Sequence, residues 1–289
     1  LRMSRGLGDV YKRQVEISVL HFEIEEAIKK YHTMSRANET KRFMHTFLIV
    51  GSRCHAFPWE SLSFMKYLSV TRMPSMSLLR DLLSKNNFDT QLDIDIGSRI
   101  SMILNPNGDL LKTEDRFLSA FSNIMSNCIN SKLLVNERPT QEDFLKMLQT
   151  SNLFIFIGHG GGDQFARNKD ITTFPNISPS LLLGCSSAAM KSSGNLEPTG
   201  VVYSHLLGGS NMVLGNLWDV TDKDIDKFTM SLLEKIGLVS DITTESRENM
   251  GICEATNLSR NLCNLKFLNG AAPVLYGLPA YFSNHGIRQ

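Results

Sequence analysis

Phe154-Ile-Phe-Ile-Gly-His159-Gly-Gly-Gly and, after a spacer, Leu181-Leu-Leu-Gly184-Cys185-Ser-Ser are the two segments that decide the expected fold. In each segment an uninterrupted apolar run ends at a glycine and a reactive side chain. Such runs are typical of strands that are buried on both faces of a parallel sheet. Both strands would end at the carboxyl edge, where open α/β sheets bind ligands. His159 and Cys185 are therefore expected in one crevice, although 26 positions separate them in the sequence.

A histidine beside a cysteine supplies the proton-transfer chemistry of a peptidase. The imidazole favours the thiolate form of the cysteine and later protonates the leaving amine. The glycine run after His159 lets the backbone approach a substrate carbonyl, and the amides of Gly160 and Cys185 are the candidate oxyanion donors. No acidic third residue is evident, since Asp163 follows the glycines and its direction is not fixed. The sequence therefore predicts a His/Cys dyad.

Each of these features also has a structural explanation. A free intracellular cysteine is most often a buried structural residue, and a glycine-rich turn often only ends a strand. A phosphate-binding loop requires a Lys-Ser/Thr ending, which the residues after Gly160 lack. Taken alone, Cys185 favours the structural explanation and the glycine run is weak evidence.

Several further motifs, in order and spacing, resemble those of one known family. Downstream of Gly158-His159-Gly160 and Gly184-Cys185-Ser186, the chain contains Gly194-Asn195-Leu196-Glu197 and Gly215-Asn216-Leu217-Trp218-Asp219. The likeness extends upstream to Phe57-Pro58-Trp59-Glu60-Ser61 and downstream to Tyr276-Gly277-Leu278-Pro279. Over residues 45 to 280 the sequence resembles separase, the caspase-like cysteine endopeptidase that cuts cohesin.

The resemblance implies a substrate, partners and a location. The substrate would be the kleisin subunit of cohesin, cut after arginine in Glu/Asp-x-x-Arg sites to release sister chromatids at anaphase onset. Securin would be the inhibitory partner, and the upstream helical region of the same full-length chain would be a second partner. The expected location is the nucleus and cytoplasm, including spindle poles or the centrosome. Two alternatives remain open: a non-catalytic scaffold with this fold, and another arginine-specific peptidase of this fold.

Arginine specificity requires a carboxylate, because a guanidinium that enters a desolvated pocket needs a bidentate partner. The candidate substrate-binding residues follow the predicted strand Met212 to Leu217, and they are Trp218, Asp219, Asp222, Asp224 and Asp226. Asp222 and Asp224 lie in the first turn of a predicted helix, where negative charge is favourable without any substrate. Asp226 matches, by its spacing from the cysteine, the arginine-pocket acid of the resembled family. We predict that Asp226 is that acid.

The composition excludes some classes of partner. A hydrophobic content of 42% in 289 residues is ordinary for a globular protein with a sizeable core. The net charge of +1 gives no electrostatic case for direct binding to nucleic acid or to an anionic membrane. No apolar run approaches the ~20 residues that cross a bilayer, so no membrane is expected. Five cysteines without CxxC pairs or zinc-type histidine spacing predict a reduced compartment and no metal or other cofactor.

Three segments are expected along the chain. Residues 1–14 lack periodicity and resemble translated adapter sequence, which predicts a non-native leader. Residues 15–44 are predicted to form an amphipathic helix, from Ile17 to Tyr31, and a polar linker that belong to an upstream region. Residues 45–289 are predicted to be the caspase-like peptidase domain.

Strand and helix patterns alternate in this domain, which predicts an α/β fold. The expected fold class, which the resemblance to separase also implies, is a caspase-like three-layer sandwich with a mostly parallel central sheet and helices on both faces. Phe47 to Val50 is predicted as a central strand, and residues 86–97 and 192–198 are predicted as loops. The Thr140-Gln-Glu-Asp143 capping box predicts a helix through Gln149, and a further helix is expected near Ser259 to Phe267.

Overall fold

The computed structural model of the chain describes Phe22, Glu23, Glu26 and residues 45–51, 54–65, 68–193, 196–239 and 250–283. The chain divides into two compact units, residues 1–44 and residues 45–289. In the first unit Phe22, Glu23 and Glu26 are helical. The rest of the predicted helix Ile17 to Tyr31, the linker and the leader 1–14 lie outside the described residues. The remaining description concerns the second unit.

The second unit is built on β-strands that are named here in chain order. They are β1 (His45–Leu48), β2 (Ser69–Arg72), β3 (Leu92–Asp95), β4 (Ile100–Leu104), β5 (Lys132–Val135), β6 (Leu153–Ile157), β7 (Ser180–Leu182), β8 (Lys191–Ser193), β9 (Leu196–Thr199), β10 (Met212–Asn216), β11 (Pro273–Gly277) and β12 (Ala280–Ser283). Eight of them form one sheet in the order β1-β2-β11-β10-β7-β6-β4-β5. Six of the seven neighbouring pairs are parallel, and β10 with β11 is antiparallel. The mostly parallel sheet is confirmed.

Helices cover both faces of this sheet. They are α1 (Met76–Lys85), α2 (Leu111–Asn127), α3 (Gln141–Thr150), α4 (Asn168–Thr173), α5 (Val201–Leu207), α6 (Asp222–Lys235) and α7 (Ile252–Ser259). Apolar residues of α2, α6 and α7 form one core cluster, and those of α1, α3, α4 and α5 form another. Along β6 the side chains alternate between the two: Leu153 and Ile155 belong to the first cluster and Phe154 and Phe156 to the second. The predicted three-layer α/β sandwich is confirmed.

Side-chain caps start two of the helices as their sequences indicate. The Thr140 hydroxyl accepts a hydrogen bond from the Asp143 amide at 3.1 Å and starts α3, as predicted. The Ser75 hydroxyl accepts one from the Leu78 amide and starts α1. Each bond satisfies a backbone donor that the first turn would otherwise leave unpaired.

The first strand lies at the sheet edge, so the prediction of a central strand there was wrong. Its partner β2 pairs in turn with β11, so two strands separate β1 from β10. The apolar run itself does not indicate an edge position. That position depends on β11, which lies between β2 and β10 and comes from the far end of the sequence.

Three other local predictions also differ from the structure. Residues 92–95, predicted as part of a loop, form β3 and pair in parallel with β12. Of residues 192–198, also predicted as a loop, residues 192–193 belong to β8 and residues 196–198 to β9, and these two strands pair antiparallel. The predicted helix near Ser259 to Phe267 is displaced, since α7 ends at Ser259 and a 3-10 turn, Arg260–Leu262, leads into a loop. The pairing partners and anchors of these segments are distant in the sequence, so local patterns do not show them.

Candidate active site

The register of β6 and β7 brings the histidine and cysteine loops together. The two strands pair with a constant offset, ending at Phe156 opposite Leu182. Continued by three residues, the same offset aligns His159 with Cys185. The contact of the two loops is direct, because a Cβ on Gly184 would lie 2.3 Å from the Gly158 carbonyl oxygen and 2.1 Å from the Gly160 carbonyl oxygen. Only a glycine fits at position 184 beside the histidine loop.

The thiol of Cys185 is held by the backbone of the segment after β10. Its Sγ donates to the Val220 carbonyl oxygen at 3.2 Å and lies 3.4 Å from the Val220 amide nitrogen. The side chain is half-buried rather than enclosed. This placement fixes the sulfur at the carboxyl edge of β7 in a partly buried position.

The backbone around the cysteine is tied to β10. The Asn216 side-chain amide donates to the Gly184 carbonyl oxygen at 3.0 Å, and the Asn216 backbone N–H donates to the Ser187 hydroxyl at 2.9 Å. Ser186 has a left-handed backbone conformation with φ of 51°. Its hydroxyl donates to the Asp219 carboxylate at 2.6 Å, which stabilises that turn. The cysteine loop is therefore positioned by its neighbouring strand and not only by its own sequence.

An acidic residue contacts the histidine, which corrects the prediction that no third residue accompanies the pair. The Nε2 atom of His159 lies 2.9 Å from the Asp109 Oδ2 atom. Asp109 follows the turn that ends β4, and β4 is the neighbour of β6 in the sheet. The Asn105 side chain fixes that turn by accepting from the Leu110 amide at 2.9 Å. An acid just after a strand-ending turn was the available signal, and it could be used only once β4 was known to adjoin β6.

The glycine run after His159 adopts the conformations that require glycine. Gly160 has φ of 68° and Gly162 has φ of 88°, values that other residues rarely adopt. A Cβ on Gly162 would lie 2.6 Å from the Phe144 ring, so this glycine also permits close packing on α3. Gly160 itself lies against Gly184, beside the cysteine loop. Its assignment as an oxyanion donor stays a prediction.

Comparison with known proteins identifies the family of this chain. The family model described as "Separin, protease domain" matches residues 7–225, a range that includes both His159 and Cys185. The chain belongs to the separin protease-domain family. It is 52% identical to the separin of Saccharomyces cerevisiae over 269 residues, which cover 93% of this chain and 16% of that protein. It is 37% identical to the separin of Schizosaccharomyces pombe over 278 residues, which cover 96% of this chain and 15% of that protein.

Solved structures of the family agree with the fold. A crystal structure of the S. cerevisiae separase–securin complex matches with a TM-score of 0.80 and 54% identity, over 92% of this chain and 18% of that chain. The chain spans about a sixth of the length of the separins that it matches. The resemblance to separase is therefore confirmed at the level of the protease domain.

Among the candidate arginine-binding acids of this separin domain, Asp226 is buried and already has a cationic partner. Its carboxylate is paired with the Arg116 guanidinium and accepts from the Thr113 hydroxyl at 3.0 Å. Burial raises the pKa of Asp226 above its usual value, although both hydrogen bonds act in the opposite direction. Its role as the arginine-pocket acid stays a prediction, and the structure adds Arg116 as a competitor for it.

The other candidate substrate-binding residues have different surroundings. Asp224 is buried, and its carboxylate accepts from the amides of Asn264 and Leu265, each at 2.9 Å. Although burial opposes ionisation, these donors and Asn269 hold the pKa of Asp224 below its usual value. Asp222 is exposed, Asp219 accepts from Ser186, and the Trp218 indole donates to the Leu268 carbonyl oxygen at 3.1 Å. Asp224 therefore has a sufficient structural role.

The first turn of α6 has no side-chain cap. Thr221 occupies the N-cap position, but its hydroxyl accepts from the Asn269 side chain at 2.8 Å instead of capping the helix.

Among the described residues, no three His, Cys, Asp or Glu side chains are grouped so that they could bind a metal ion. In the same part of the chain, no helix is long and apolar enough to cross a membrane.

Proposed function

We propose that this chain is a cysteine endopeptidase in which Cys185 is the nucleophile and His159 is the general base and acid. The observation that carries the proposal is the alignment of the two loops by the β6–β7 register, with Gly184 packed directly on the backbone beside His159. A nucleophile and a base at adjacent strand ends form the minimal arrangement for acyl transfer.

The reaction follows from these positions. The imidazole takes the thiol proton, and Sγ attacks the scissile carbonyl carbon to form a tetrahedral intermediate. The negative oxygen of that intermediate is stabilised by the amides of Gly160 and Cys185, each worth ~3 kcal/mol. The imidazolium then protonates the leaving amine as the C–N bond breaks, and water hydrolyses the thioester. Asp109 is a positioning residue in this scheme, because it contacts Nε2 of His159 and so assigns Nδ1 the role of taking the thiol proton.

The substrate of this chemistry is proposed from the family. We infer cleavage of the kleisin subunit of cohesin after arginine in Glu/Asp-x-x-Arg sites, with the guanidinium bound by Asp226. A securin is the proposed inhibitory partner, which is supported by the separase–securin complexes that the fold matches. The upstream helical region of a longer chain is proposed as a further partner. Action on sister chromatids implies the nucleus, the cytoplasm and the spindle poles or centrosome.

The test is cleavage of a peptide that carries Glu-x-x-Arg, with a matched peptide in which Arg is replaced by Glu. The full chain is expected to cut the first peptide after arginine and to leave the second intact. Cys185→Ser and His159→Ala are each expected to abolish cutting while the circular dichroism spectrum is unchanged. Neither residue alone provides an activated nucleophile, because the thiol needs the imidazole as its base. Turnover by Cys185→Ser that is comparable to that of the parent chain would refute the mechanism.

A further inference from the structure

A short loop beside the candidate active site exposes large apolar side chains. Within seven residues, the side chains of Leu262, Leu265, Phe267 and Leu268 are 50%, 49%, 92% and 53% exposed. Single exposed apolar residues are ordinary on a protein surface, whereas a contiguous group of them marks a binding surface. We refer to residues 262–268 as the apolar loop.

Hydrogen bonds to a buried carboxylate hold the backbone of the apolar loop in place. The buried Asp224 carboxylate accepts from the backbone amides of Asn264 and Leu265, each at 2.9 Å, and from the Asn269 side chain at 3.0 Å. The Cys263 side chain is buried in the core and anchors the start of the segment. Hydrogen bonds that a charged carboxylate accepts are among the stronger ones in proteins. Because the backbone is pinned, the apolar side chains cannot be buried by a collapse of the loop onto the domain.

Trp218 connects the apolar loop to the loop that contains Cys185. The Trp218 indole donates to the Leu268 carbonyl oxygen at 3.1 Å. The Trp218 carbonyl oxygen accepts from the Ser186 amide at 3.1 Å, and Ser186 is the residue after Cys185. A polypeptide that leaves the cysteine over Trp218 therefore arrives at the apolar loop.

We propose that the apolar loop is a subsite that binds an apolar side chain of the polypeptide substrate, a few residues away from the scissile bond. This inference rests on the proposed peptidase function and deepens it. An extended chain advances about 3.3 Å per residue, so a neighbouring loop is reached within several residues. The occupant is the substrate and not a second copy or an upstream segment, because the loop adjoins the surface along which the substrate must lie.

The experiment uses arginine peptides in which a single leucine is moved through the positions flanking the arginine. The full chain is expected to prefer one position of the leucine by about tenfold in kcat/KM, through a lower KM. Phe267→Ser is expected to remove that preference and to leave the leucine-free peptide unaffected. Phe88→Ser is the matched control, because Phe88 is 71% exposed and lies near Asn86, the residue after α1. Asn86 hydrogen-bonds Asn211, which precedes β10 and so lies at the amino ends of the strands, away from Cys185.

Binding separates a failure of this inference from a failure of the proposed function. The same peptides are titrated against the Cys185→Ala chain by fluorescence anisotropy, which measures the subsite without turnover. If no arginine peptide is cut but Phe267→Ser still weakens binding of the preferred leucine peptide about tenfold, the subsite stands and the peptidase assignment fails. The inference is overturned if the leucine preference survives Phe267→Ser or no position is preferred. It is also overturned if Phe267→Ser changes the oligomeric state or exposes an upstream segment to limited proteolysis, since the loop would then have another occupant.

Discussion

The carboxylate of Asp226, on α6, is paired with the guanidinium of Arg116, on α2. The Asp226 side chain is only 4% exposed, whereas the Arg116 side chain is 41% exposed. The residue predicted to select a substrate arginine therefore already binds an arginine of its own chain. A substrate guanidinium has to displace Arg116 or share the carboxylate with it.

Replacing Arg116 by alanine is expected to improve recognition of arginine. The internal competitor is lost, so KM for arginine peptides should fall severalfold, while Asp226→Ala should raise the barrier by a few kcal/mol. Alkylation of Cys185 should be unchanged in both variants, because only recognition is altered. Steady-state kinetics with one arginine peptide checks both effects. Normal cleavage by Asp226→Ala would show that the pair is purely structural.

The same Arg116→Ala variant is expected to lose stability in a pH-dependent way. In this variant the Asp226 carboxylate keeps its hydrogen bond from the Thr113 hydroxyl but loses the Arg116 guanidinium. This loss should cost ~1–3 kcal/mol of unfolding free energy at neutral pH. Burial already raises the pKa of Asp226 above its unfolded value, and removal of Arg116 raises it further, so the folded variant binds more protons than the folded parent chain and the loss should grow as pH rises. Urea unfolding at pH 4.5 and pH 7.5 measures this difference. Arg80→Ala is the control, since the Arg80–Asp81 pair is exposed on both sides.

Asp109→Asn is expected to lower kcat by about 10²-fold or more. An asparagine keeps the size of the side chain but not the charge that orients the imidazole and stabilises the imidazolium. The contact is half-exposed, with 50% of the His159 side chain and 56% of the Asp109 side chain accessible, so the loss of folding stability should be small. Asp163→Asn, an exposed acid in the same loop region as His159, is the matched control. A kcat within twofold of the parent value would remove Asp109 from the mechanism.

Gly184→Ala is expected to abolish activity by separating the two loops. The added methyl group would lie about 2 Å from two carbonyl oxygens, those of Gly158 and Gly160, which are backbone atoms that cannot simply rotate away. Cleavage assays and thermal unfolding together check this prediction. Gly51→Ala is the control, since a Cβ at Gly51 meets nothing within 4 Å. Full activity in Gly184→Ala would show that the loops tolerate separation.

Acid should destabilise the domain through two histidines, of which His205 is buried and His45 is partly buried. Burial lowers the pKa of His45 and of His205 to about 4, compared with ~6.5 in an unfolded chain. Between these values the unfolded state binds more protons, so the free energy of unfolding falls as pH drops from 6.5 to 4, by on the order of 2 to 3 kcal/mol per histidine. Urea unfolding across this range should show a shallower pH slope for His205→Asn than for the parent chain. An unchanged slope would contradict the assignment.

The sequence predicted the parts of the fold that depend on local patterns. The meeting of the His159 and Cys185 loops was predictable because each residue follows an apolar strand, and neighbouring parallel strands end at the same edge of the sheet. Asp109 was not predictable as a partner of His159, since their contact requires β4 to lie beside β6. The Arg116–Asp226 pair likewise forms only after α2 and α6 pack on the same face. The long-range pairing of β3 with β12 had no local signal at all.

The position of β11 in the sheet sets an order of events during biosynthesis. β1 and β2 join the other strands only through β11, whose residues are made about 200 positions after β2. At a translation rate of about 5–20 residues per second, the first two strands wait ~10–40 s for their partner. Until then the inner edge of β2 and the exposed edge of β10 offer unpaired backbone groups to other chains. We expect the emerging chain to need protection by chaperones through this interval, until residue 277 has left the ribosome.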